Sequence, residues 1–183
     1  MPIHVLVRAC GQRLRRLRLH EEGFGLIELM AAMTVLLIGI LALFAMFESG
    51  IRSTARASTV TTAGALADSE MENYRAIRYD AIGLPEALVL AAASPYSTDP
   101  AYQATASNRV ALVACGTAPC TTNVPVKTAT GADGRSYRVD VYIVWQVVGA
   151  GRGVKLVTIV VRDSADVTKV WARTASSFDQ STG

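Results

Sequence analysis

The sequence predicts an α+β chain: a long N-terminal α-helix, membrane-spanning in its first half, packed on a small antiparallel β-meander. Three observations predict it. Phe24 to Phe47 reads FGLIELMAAMTVLLIGILALFAMF, 24 residues with one charge, Glu28. No proline follows Pro2 until Pro85, so a helix can continue past the apolar run. Beyond residue 107 the pattern changes to alternating β-branched and aromatic runs separated by short turns.

The apolar run is long enough to cross a bilayer, which takes about 20 residues. Its flanks orient it. Arg8, Arg13, Arg15, Arg16 and Arg18 precede it, against Arg52 and Arg56 just after. That asymmetry places the N-terminus in the cytoplasm. An ordinary cleaved secretory signal fits less well, because its apolar region spans only about 7–15 residues. The same arginines account for the net charge. With them and the acids Glu21 and Glu22 set aside, 13 basic and 13 acidic residues remain from Phe24 onward. The body is neutral and carries no basic stripe, so nucleic acid is not an expected partner.

Glu28 stands out because a carboxylate inside a spanning helix is costly, by about 2.5–3.5 kcal/mol at the helix centre and less toward its edge. Such a group marks a function whose partner comes from outside the helix. Its surroundings read Gly23-Phe24-Gly25-Leu26-Ile27-Glu28-Leu29-Met30 after a basic leader. This segment resembles the processing signal of type IV pilins and pseudopilins. The resemblance implies a leader, residues 1–23, removed by a prepilin peptidase that cuts between Gly23 and Phe24, and N-methylation of Phe24. It also implies that Glu28 pairs with the N-terminal amine of a neighbouring subunit during assembly. Implied partners are other pilin or pseudopilin subunits, met through the N-terminal helix, and an inner-membrane assembly platform. The implied location is the cytoplasmic membrane first and an extracytoplasmic filament afterwards. Gly25 stands where the family commonly has threonine, and the 22 residues before Gly23 make a fairly long leader. Many pilins carry a proline at residue 45 of the chain; here Gly39 and Gly50 are the flexible points nearby.

The physics of the motif is consistent with that role. Gly23 offers a protease unobstructed backbone. Glu28 packed among apolar helices needs a counter-charge, which a neighbouring ammonium supplies. Residues 24–47 are thus expected to form the transmembrane and filament-core helix, residues 48–82 the distal stalk, and residues 83–183 the exported domain.

The distal stalk carries Leu66, Met71, Tyr74 and Ile77 along roughly one face, with Asp68, Glu70, Glu72, Arg75 and Arg78 around it. Ser53 to Thr62 is a weak helix former and needs packing to stay helical. Unbroken from Phe24 to Tyr79, the helix would measure about 84 Å at 1.5 Å per residue. Residues 80–107, punctuated by Pro85, Pro95 and Pro100, read as an irregular connection containing a short helix over Pro85 to Ala93.

Strand expectations follow. Arg109 to Ala114 is a short candidate. Ser136 to Val148 is the strongest, with Tyr137, Val139, Val141, Ile143, Trp145 and Val147 on one side. Val154 to Asp163 and Val167 to Ser176 complete the meander, which packed on the stalk would bury one face. Asp133-Gly134 is a turn signal. The GAGRG segment, Gly149 to Gly153, is a hairpin turn and not a phosphate cradle, because a β-branched strand follows it in place of a helix N-terminus.

Cys10 lies in the leader. Cys115 and Cys120, in CGTAPC, fall on the exported side, where an even pair most simply closes a disulfide. Both histidines, His4 and His20, precede Gly23. The mature chain therefore offers no imidazole for a triad or a zinc site, and no G-x-S-x-G elbow is present. No catalysis and no cofactor are expected. The expected function is a structural subunit of a type IV pilus or pilus-like filament, and the long meander resembles minor pilins of the PilV type. Two alternatives share parts of this reading: a minor pseudopilin of a type II secretion system, and an uncleaved signal-anchored binding protein.

Overall fold

The computed structural model describes residues 25–102, 106–110, 123–148 and 152–180. Helix α1 runs from Leu26 to Ala76 without a break, and the chain divides into two compact units after Arg52.

In the first unit, α1 is apolar all round. Leu26, Ile27, Leu36, Leu41, Phe44 and Phe47 occupy different faces and all are exposed. Leu, Met and Ala favour the helix, and its internal hydrogen bonds leave few backbone groups needing outside partners. This is the one helix among the described residues long and apolar enough to cross a membrane. The exposed Glu48–Arg52 ion pair, one helical turn apart, closes the apolar stretch.

The second unit begins with the remaining turns of α1. The weak helix-forming segment is held by burial, since hydroxyl back-bonding satisfies the side chains without itself strengthening a helix. Thr59 and Thr61 donate their hydroxyls back to the carbonyls of Ala55 and Ala57, both at 3.0 Å. Thr59, Ala63, Ala67, Met71 and Tyr74 are then buried along one side. Met71 and Tyr74 were the expected anchors, while Leu66 and Ile77 only flank the core. Ala63 and Ala67, both almost wholly buried, form the seam of α1 against the core. Helix α1 ends at Ala76, short of the expected Tyr79; Tyr79–Ala81 is a separate 3₁₀ turn.

The sheet is an antiparallel meander of four strands in the order β1-β2-β3-β4. Strand β2, Ser136–Val148, matches its expected limits. Strand β3 is Arg152–Asp163, and β4, Val170–Phe178, is shifted toward the C-terminus from the expected range. Strand β1, Val126–Thr130, was not foreseen: VKTAT is short, polar and only half-buried. It continues through a turn in which Gly134 takes φ 74° into β2, as Asp133-Gly134 foretold. Residue Arg109 makes an isolated bridge to Val144 in place of the expected strand start, and residues 111–114 lie outside the described residues. So do Gly149 to Gly151 of the hairpin turn.

Both faces of the sheet are covered, where one was expected. Lys127 stands opposite Val139 and pairs with Glu70 of α1, so the row Tyr137, Val139, Val141, Ile143 faces the helix. The alternate row, Asp140, Tyr142 and Val144, is buried too. Its cover is the connection that includes α2, Glu86–Ala91, and Tyr96, whose ring stacks on Tyr142 at 4.4 Å. Tyr96 donates its hydroxyl to Val141 O at 2.8 Å, and Leu84 N–H donates to Val110 O at 3.0 Å. Proline punctuation made this connection read as loop; its aromatic residues make it a third layer.

Candidate functional site

The residues singled out in the sequence lie at the start of α1. Gly23 and Phe24 fall outside the described residues. Gly25 opens the first turn, accepting from the N–H groups of Glu28 at 2.9 Å and Leu29 at 3.1 Å. A Cβ on Gly25 would meet only Ile27 Cγ2, at 3.9 Å, so the structure sets no steric demand for glycine there. Glu28 is an acid in the first turn, where the helix dipole favours negative charge. It is exposed, as are Leu26, Ile27, Leu29 and Met30 around it. Among the described residues no cation pairs with it. Chemically, the segment presents one carboxylate within a wide apolar surface, an arrangement that accepts a cationic group delivered by another molecule and covered by apolar contacts. Cys115 and Cys120 lie outside the described residues.

The second unit holds a charged cluster that sequence reasoning missed. Between the sheet and the Tyr96–Tyr102 segment, Arg162 Nε donates to Asp140 Oδ2 at 2.8 Å and another of its nitrogens donates to Asp99. Arg138 Nε donates to Asp140 Oδ1 at 2.8 Å, and Arg173 holds both oxygens of Asp99 at 2.9 and 2.7 Å. Burial acts to raise the Asp99 pKa, but the hydrogen bonds from Arg173 and Ala101 N–H, with the charges of Arg173 and Arg162, hold it below the usual carboxylate value. The signal was present in register: Asp140 sits on the alternate row of β2, which a one-sided sheet would expose to water.

Neighbouring polar groups are also committed to structure. Lys155, buried on β3, donates to Tyr79 O at 2.6 Å and Ile82 O at 2.8 Å, with its ammonium 4.4 Å from the Tyr79 ring centre. Burial lowers its pKa, opposed by the charge of Asp80. Asn123 bonds the carbonyls of Ala81 and Gly83 at 3.2 and 3.1 Å. A cavity of about 370 Å³ lies between Leu88, Ala92, Pro125 and Arg138, and another of about 380 Å³ beside Glu70, Asn73 and Lys127. Neither joins a nucleophile to a base, and no group of three metal-ligating side chains occurs among the described residues.

Residues 18–44 match the family model of the prokaryotic N-terminal methylation motif, the signal of type IV pilin-like and pseudopilin precursors. The match covers Gly23, Phe24, Glu28 and the first turns of α1. No curated protein and no solved structure matches the chain.

Proposed function

We propose that this chain is a prepilin-like structural subunit. It is cut between Gly23 and Phe24, methylated on Phe24, held in the cytoplasmic membrane with its leader inside, and then assembled into a type IV pilus or related filament as a minor pilin. The observation that supports this reading most directly is positional. The methylation-motif match ends inside a helix whose apolar side chains are exposed on every face and whose one embedded carboxylate has no partner among the described residues.

Such a surface is stable in lipid or against copies of itself, not in water. Each fully buried Leu, Ile, Phe or Met side chain contributes about 1.5–3 kcal/mol relative to exposure. In the membrane, lipid covers the helix. In a filament, neighbouring helices replace the lipid, and the amine created at Phe24 neutralises Glu28 of an adjacent subunit, so neither charge stays unpaired in an apolar medium. The sheet-bearing unit then forms the exported part, where Cys115 and Cys120 close a small disulfide loop.

The test is the N-terminal mass of the protein recovered from its own cells. A chain beginning at N-methylated Phe24 is expected. A chain that keeps the arginine-rich leader would make this a signal-anchored domain and end the assembly reading. A minor pseudopilin of a type II secretion system shares the same processing; a coding gene set among secretion genes would favour it.

A further inference from the structure

The outer edge of β4 pairs with nothing among the described residues, and its direction can be worked out from the ladder. Val141 N–H donates to Pro125 O at 2.8 Å, so odd-numbered residues of β2 aim their backbone groups at β1 and even-numbered ones at β3. Asp140 and Tyr142 stand opposite Val160 and Thr158, which therefore bond back to β2. Val157, Ile159 and Val161 are left to bond β4, where they face Ser176, Thr174 and Ala172. Arg173, Ala175 and Ser177 consequently point their N–H and C=O groups outward, away from the sheet.

This edge lacks the usual protections. It has no proline, and its register irregularity is confined to the start, opposite Val161 and Arg162, leaving Ala172 to Phe178 regular. Its one charged side chain, Arg173, is tied to Asp99 on the face of the sheet. The opposite edge, β1, spans five residues against nine in β4.

We infer that β4 is an interaction surface for a second copy of this chain, the two β4 strands pairing antiparallel about a two-fold axis at Ala175. Self-pairing must centre on a residue, because two opposed residues both aim their bonding groups across or both away. A centre at Arg173 would set like charges face to face. The centre at Ala175 uses the whole regular run: Ala175 opposes itself, Thr174 opposes Ser176, Arg173 opposes Ser177 and Ala172 opposes Phe178. The outward groups of Arg173, Ala175 and Ser177 all find partners, and the two Arg173 side chains stay four positions apart. An isologous contact of this kind closes on itself, giving a dimer of sheet-bearing units. This goes beyond the helix-mediated assembly proposed above and needs no part of it.

The test uses the full-length chain in detergent, with Ala175→Cys as the probe. Opposed residues in a bonded pair lie about 5.5 Å apart at Cα, within disulfide range. Mild oxidation is expected to give a dimer whose linked peptides, identified by mass, join position 175 to itself. Thr174→Cys and Ser176→Cys, each facing the other's position, are expected to give far less self-linked product. Ser177→Pro removes an outward N–H while leaving the β3 ladder whole; combined with Ala175→Cys it is expected to lose the dimer with an unchanged circular dichroism spectrum. Absence of the 175–175 link, a stronger link at 174 or 176, or persistence of the link with Ser177→Pro would overturn the proposal.

Discussion

Arg162 Nε lies 2.8 Å from Asp140 Oδ2, and both side chains are almost wholly buried, at 5% and 0% exposure. The contact solves a problem set by the ladder itself, because Arg162 stands directly opposite Arg138. Two opposed guanidinium groups on one face repel; Asp140, reached by both, cancels the repulsion, and Asp99 brings the connection segment down onto the same charges.

Asp140→Ala is therefore expected to destabilise the sheet-bearing unit by about 3–5 kcal/mol, because it leaves two arginines facing each other in a buried site. Denaturant unfolding followed by tryptophan fluorescence reads the change. Adding Arg162→Met and Arg138→Met to Asp140→Leu should recover much of the loss, since a buried ion group exchanged as a whole for apolar residues is frequently neutral. A loss near zero for Asp140→Ala would show that the cluster is solvated.

Acid and alkali should act through different groups. Asp99 is held below its ordinary value, so its contribution is complete above the unfolded carboxylate pKa and is lost as pH falls through the lower folded one. Tyr137 behaves oppositely. Burial first, then its hydrogen bond and proximity to Asp133, pushes it up to about 12. Burial raises Tyr74, Tyr96 and Tyr142 further. Their contribution is complete below the free phenol pKa of about 10 and declines as pH rises past it. Lys155, with a lowered pKa, works the other way, but its gain is complete by the free lysine pKa of about 10.4 and does not offset the tyrosine loss above it. The denaturation midpoint is expected to fall steeply above about pH 10. Tyr74→Phe should lessen that fall, and a midpoint flat to pH 12 would contradict the assignment.

Gly131→Ala tests the contact between α1 and the turn from β1 to β2. A Cβ on the buried Gly131 would stand 2.7 Å from Tyr137 Cε2 and closer still to Thr62 Cγ2. The cost is expected near 1–3 kcal/mol, as for other overpacked sites. Gly64→Ala, with open space around its Cβ, is the control and should be neutral or slightly stabilising.

Glu28→Ala should leave cleavage after Gly23 intact while blocking entry into filaments, because the neighbouring amine loses its counter-charge. Fractionation of cells into membrane and sheared filaments, with immunoblotting, separates the two effects. Normal incorporation would remove Glu28 from the assembly step. Gly23→Ala should slow processing more than most leader changes, and normal processing on the same immunoblot would count against the assigned site.

Much of this fold was legible because its signals are periodic. Tyr137 to Val141 alternate with charged residues, the β-branched and aromatic run continues to Val148, and the matched β2 limits reflect that; the apolar helix announced itself by length. What escaped notice was carried by residues with weak signals of their own. Ala63 and Ala67 look like helix filler yet form the seam, and Val126–Thr130 is too short and polar to read as a strand. The second covered face was hidden because Tyr96 and Tyr102 lie among prolines and serines, where hydrophobic periodicity is absent. At the proposed site, Gly23, Phe24 and Glu28 came from spacing and resemblance alone. The charge cluster needed strand register, which sets Arg138 opposite Arg162, and the path of the connection, which brings Asp99 to Arg173, 74 positions away.

The seam of Thr59, Ala63 and Ala67 has a consequence for the order of folding. Ser53 to Thr62 around the start of this seam form helix weakly by themselves, and the seam's burial comes from strands that leave the ribosome later. Lys127 follows its partner Glu70 by 57 positions, and the remaining strands come later still. The meander can zip from neighbour to neighbour, whereas the helix must wait for a surface made by the last third of the chain. A chain shortened before β3 should thus lose the helical content of residues 53–76 as well as its sheet. During synthesis that stretch is the vulnerable one, open to proteolysis until the final hairpin closes.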